Sequence, residues 1–75
     1  MKTKIELPFE CVVYDSEPVY VENPYSGDGC MLTPEAVAVY DTIKGAEMFG
    51  DYKLMEKGLS WFRRNFGKEY MVLLD

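Results

Sequence analysis

Apolar and polar positions change rhythm near residue 33, from short β-like runs to helical periods. Lys4-Ile5-Glu6-Leu7 alternates, Pro8 interrupts, and Phe9-Glu10-Cys11-Val12-Val13-Tyr14 resumes with β-branched and aromatic residues. Asp15-Ser16-Glu17-Pro18 is dense in turn formers, and Val19-Tyr20-Val21-Glu22 is a second β-branched run. Two such runs on either side of a turn predict a hairpin pairing 9–14 with 19–22, with Pro8 at an edge or a strand start. Asn23-Pro24-Tyr25-Ser26-Gly27-Asp28-Gly29 has the composition of a loop, and Cys30-Met31-Leu32 leads out of it as a candidate third strand.

From Thr33 the period becomes helical. Thr33 is placed to accept from the free amides of a first turn, Pro34 suits the first helical position, and Glu35 complements the positive end of the dipole. Ala36, Val39, Tyr40, Ile43 and Ala46 share one face of a helix over 33–49, which Val37 and Met48 are expected to widen. Gly45 weakens its interior, and Gly50 suits a left-handed end. Asp51 then caps a second helix over 51–66, with Met55, Leu59, Phe62 and Phe66 in one stripe flanked by Leu54 and Trp61. The Gly50-Asp51 connection is so short that the helices must be neighbours, as in an antiparallel hairpin. Gly58, like Gly45, could let a neighbouring chain approach closely or could equally be only a weak spot, and Gly67 closes the helix. Residues 68–75 form a short terminal element, a third helix in preference to a strand. The expected fold is one α+β domain over 1–75. A hairpin and loop (1–32) lie on an antiparallel helical pair (33–49 and 51–66), followed by the terminal element.

Composition agrees with a folded chain. Of 75 residues, 48% are hydrophobic and 15% aromatic, unlike a disordered sequence. A domain of this length buries only about 60% of its unfolded surface, so eleven aromatics and five methionines exceed what a thin core hides. A protein partner or homo-oligomerisation is the expected consequence. No signal-peptide pattern opens the chain and no apolar run approaches the ~20 residues of a membrane span. The expectation is a cytoplasmic protein without membrane contact, its Cys11 and Cys30 reduced and partly buried.

The net charge of −5 is unevenly spread. Between Ile5 and Ile43 there is no Lys or Arg, against Glu6, Glu10, Asp15, Glu17, Glu22, Asp28, Glu35 and Asp41. Residues 51–75 hold Lys53, Lys57, Arg63, Arg64 and Lys68 against Asp51, Glu56, Glu69 and Asp75, a local charge of 5 − 4 = +1. No general basic footprint for nucleic acid is present.

Catalytic patterns are equally lacking. The chain has no His, no nucleophile motif and no phosphate-binding glycine pattern, so it is expected not to be an enzyme and to use no cofactor. Two thiols without His do not complete a tetrahedral zinc site. Ser26-Gly27-Asp28-Gly29 offers too few oxygen ligands for calcium and reads as a turn. Trp61-Phe62-Arg63-Arg64 imitates a basic–aromatic patch, yet its rings fit the core stripe and its arginines suit a helix C-terminus. The candidate partner surface therefore comprises Glu10, Glu17 and Glu22 with Arg63 and Arg64. Solvated acidity is the ordinary explanation of the carboxylates. The alternatives are an acidic mimic of nucleic acid occupying a partner's basic site, a helix-turn-helix DNA-binding protein, and a metal or redox module built on Cys11 and Cys30.

One resemblance adds context. Asn23-Pro24-Tyr25-Ser26-Gly27, Leu32-Thr33-Pro34-Glu35-Ala36-Val37-Ala38-Val39-Tyr40-Asp41, Ile43-Lys44-Gly45-Ala46-Glu47-Met48, Gly58-Leu59-Ser60-Trp61-Phe62 and Tyr70-Met71-Val72-Leu73-Leu74-Asp75 resemble short proteins encoded by tailed phages and marine viruses. The likeness spans residues 23–75, and those proteins carry no assigned activity. It implies a viral or phage setting and no site residues.

Overall fold

The computed structural model describes residues 6–14 and 16–74. Its elements run β1 (Val19–Glu22), β2 (Gly29–Leu32), α1 (Pro34–Phe49), α2 (Tyr52–Asn65) and α3 (Gly67–Leu73). The fold is α+β, as the sequence pattern predicts, but the hairpin differs from the expected one.

β1 pairs antiparallel with β2 in the register Val19↔Leu32, Tyr20↔Met31, Val21↔Cys30 and Glu22↔Gly29. Strand alternation turns Val19, Val21, Cys30 and Leu32 to the core and leaves Tyr20, Glu22 and Met31 outside. Pairing of 9–14 with 19–22 is thus corrected: residues 9–14 form no strand, and the candidate third strand is the actual partner. The alternation expected over Lys4–Leu7 falls partly outside the described residues, as does Asp15 of the expected turn. The physical reason lies in the loop. Asn23 Oδ1 accepts from Tyr25 N at 2.9 Å, Gly27 N donates to Asn23 O at 2.8 Å, and Asn23 N donates to Asp28 O at 2.7 Å. Gly27 sits at φ 82°, a conformation that favours glycine. This closed loop brings β1 and β2 together locally, and Asn23 Nδ2 fastens it to Val72 O of α3 at 3.0 Å.

The helix signals act as their chemistry requires. Thr33 Oγ1 accepts from Ala36 N at 3.2 Å, with Pro34 in the first turn. Gly50, at φ 74°, ends α1, and Asp51 N reaches back to Ala46 O at 2.9 Å. Asp51 Oδ1 then accepts from Leu54 N at 3.2 Å, so adjacent residues end one helix and begin the next. Gly67 does not close α2 as expected. Phe66 ends α2 and precedes α3, whose first residue is Gly67, and the terminal element is a helix.

α1 and α2 are an antiparallel pair because their contact persists away from the corner. Ile43 lies seven residues before Gly50 and Gly58 seven after Asp51, each about 10 Å along its helix. A Cβ built on Gly58 would nevertheless stand 2.5 Å from Ile43 Cγ1 and 3.3 Å from Phe9 Cε2. The missing side chain is what lets the helices close, one of the two roles the sequence left open for Gly58; Gly45, open to the same reading, has no atom within 4 Å of a built Cβ and admits no close neighbour. Phe62, Leu32 and Val39 are the largest fully buried side chains, joined by Ile43, Trp61 and Leu73. Burying Phe62 contributes roughly 1.5–3 kcal/mol, and Trp61, Phe62 and Phe66 stack with centroids 5.5–6.0 Å apart. β2 rests on α3 and α1 beside this cluster. Leu7, Phe9 and Cys11 pack over it, and Trp61 Nε1 donates to Glu6 O at 2.6 Å.

Candidate interaction site

The helix corner carries the exposed large apolar side chains of the helical pair. Met48 is 83% exposed, Phe49 88% and Tyr52 67%, all within two residues of Gly50-Asp51. Met48 was expected on the core face and is not there. At 100° per residue, five residues beyond Ile43 amount to 500°, about 140° away from it. Phe49 and Tyr52 sit where the two helices end and begin, outside the stripe that either helix buries. Helix angles could have revealed this patch from sequence, whereas a search for reactive residues could not. A second apolar pair, Tyr20 and Met31, sits cross-strand on the outer face of the hairpin.

The five residues proposed from sequence are all exposed. Glu10 lies on the N-terminal segment, Glu17 in the bend before β1, Glu22 at the end of β1, and Arg63 and Arg64 in the last turn of α2. Glu10 shares a cleft with Asp41 of α1, and neither Glu17 nor Glu22 lines that cleft. Arg63 is spoken for locally, its guanidinium 6.0 Å from the Tyr70 ring centroid. Trp61 and Phe62 are buried, 3% and 0% exposed, and are closed to base stacking. The antiparallel pair also differs from the 90–120° crossing of a helix-turn-helix.

Cys11 and Cys30 are free and half-buried. Burial pushes the Cys11 thiol up; burial first, then the Glu69 carboxylate, pushes Cys30 up. Such thiols are protonated and weakly nucleophilic at neutral pH. Tyr40 is raised too, by burial first and then by Asp41, Cys30 and Glu47. Among the described residues, no group of three or more His, Cys, Asp or Glu could hold a metal ion. No helix among them is long and apolar enough to cross a membrane.

No protein-family model, curated protein or solved structure matches the chain.

Proposed function

We propose that this chain is a non-enzymatic interaction protein that binds a protein partner, or another copy of itself, through the α1–α2 corner. The observation that carries the reading is the exposure of Met48, Phe49 and Tyr52 around one tight connection. Large apolar side chains clustered on a surface mark contact sites, and Tyr, Phe and Met are enriched in interface cores. The corner is held by the Gly50 cap and the Asp51 cap, so its side chains are presented on a preformed frame and little ordering cost opposes binding. Glu47 and Asp51 give the patch an acidic rim, and Lys44, 3.9 Å from Glu47, belongs to the same rim. The cytoplasmic and viral setting expected from sequence belongs to this proposal.

The test compares wild type with a Met48→Ser, Phe49→Ser, Tyr52→Ser variant by sedimentation over a wide concentration range and by co-purification from the native host. The reading requires an association, with itself or with a protein, that the variant loses while its helical signal is kept. Equal behaviour of the two proteins contradicts it.

A further inference from the structure

Charge separates the exposed apolar pair of the hairpin from the exposed apolar side chains of the helix corner. Tyr20 and Met31 lie beside Glu22, with Glu17 in the bend before β1, and no Lys or Arg occurs between Ile5 and Ile43. Two copies meeting there would set carboxylates against carboxylates. At the corner both signs are present. Glu47, Asp51 and Glu56 are balanced by Lys44, Lys53 and Lys57, so residues 44–57 carry no net charge in a chain of −5. Lys44 lies 3.9 Å from Glu47, whereas Lys53, Glu56 and Lys57 are exposed on α2 and take no ion pair among the described residues.

From this balance we infer that the occupant of the corner is a second copy of the chain, held corner to corner about a two-fold axis. The inference rests on the reading of the corner as a contact site and names its partner. In a two-fold contact a group off the axis meets a different group of the other copy, and the same pair recurs on the opposite side. A rim with equal numbers of amines and carboxylates can therefore pair opposite charges twice over, while a strongly basic or acidic partner finds no net charge to select it. Met48, Phe49 and Tyr52, 83%, 88% and 67% exposed, supply the centre. At about 200 Å² for each large side chain, two copies offer about 950 Å². The rim carries the contact past the roughly 1,000 Å² at which specific interfaces begin. An interface of that size is weak, so monomers prevail at about 1 µM and dimers at about 1 mM.

Sedimentation equilibrium of the full chain across that concentration range measures the dimer. A Lys53→Glu, Lys57→Glu variant and a Glu47→Lys, Glu56→Lys variant each set like charges across the axis and weaken it about tenfold or more. Mixed in equal amounts, the two variants form a heterodimer about as tight as the wild-type dimer. General attraction between the chains does not explain such a recovery, because both stay negative, at −5 − 4 = −9 and −5 + 4 = −1. Phe49→Ser in either chain abolishes the heterodimer. All five substituted side chains are exposed, and melting of each variant confirms the fold. A wild-type chain that stays monomeric at about 1 mM, a dimer indifferent to both reversals, or no recovery on mixing overturns the inference. If the chain is monomeric but a photoreactive group at Phe49 crosslinks to a host protein, only the choice of a second copy falls. If that adduct is absent too, or if a dimer survives Phe49→Ser, the corner falls with it.

Discussion

Gly45 and Gly58 occupy helix interiors with opposite surroundings, and replacing each with alanine isolates the role of the α1–α2 contact. A Cβ at Gly45 meets no atom within 4 Å, and its φ is not positive. Gly45→Ala therefore gains the propensity difference of about 1 kcal/mol with nothing to offset it. Gly58→Ala gains the same about 1 kcal/mol, but its methyl would lie 2.5 Å from Ile43 Cγ1 and 3.0 Å from Cδ1. Ile43 is only 2% exposed and Cγ1 is not a free chain end, so the side chain cannot swing away and the helices must part. Overpacking of that kind costs about 1–3 kcal/mol. Taking 2 as its centre, the balance is 1 − 2, a loss of about 1 kcal/mol. The variants should differ by about 2 kcal/mol, which is roughly 8–16 °C in a domain of this size. Thermal melting and urea titration of both proteins give the measurement. If Gly58→Ala raises Tm as much as Gly45→Ala, the close helix approach at Gly58 is wrong.

Three further outcomes are expected. Asn23→Ala loses the bond to Val72 O and the loop bond to Tyr25 N, and lowers stability by about 1–2 kcal/mol in urea titration; Asn23→Asp, which keeps only the loop bond, falls between wild type and Asn23→Ala. Trp61, 3% exposed and bonded to Glu6 O, emits at short wavelength and resists acrylamide quenching, and deleting residues 1–8 shifts the emission to the red. The folded Cys11, Cys30 and Tyr40 groups are raised above their ordinary values of 9.0, 9.0 and 10.0, so the folded state holds these protons more tightly than the unfolded chain. Their contribution to stability is complete below the ordinary values and is lost as pH rises through the raised ones; a urea midpoint that climbs between pH 8 and 10 contradicts this.

Local chemistry made the helical half legible. Thr33-Pro34-Glu35 and Gly50-Asp51 specify ends that depend on few neighbours, and the stripe from Met55 to Phe66 dictates the buried face of α2. The strand half was harder, because Phe9–Tyr14 and Val19–Glu22 have equal β character and propensity cannot rank their pairings. Loop closure decided it: the Asn23 bonds and Gly27 bring Gly29–Leu32 to β1, while Phe9 is held elsewhere by Gly58 and Ile43. Gly67 misled because a glycine after a helical stripe reads as a stop, yet Phe66 N reaches Phe62 O and the chain turns straight into α3. The exposed carboxylates could be found in the sequence but their grouping could not. Glu10 and Asp41 line one cleft, which exists only once the N-terminal segment lies on α1.

The claim that the helix corner is the contact surface is tested most directly by photo-crosslinking in the native host. A benzoylphenylalanine placed at Phe49 should give a discrete covalent adduct, with a second copy or with one protein. The same probe at Lys68, exposed in the first turn of α3 beyond the far end of α2, should give none. Equal yields at the two positions, or no adduct at Phe49, would contradict the proposal.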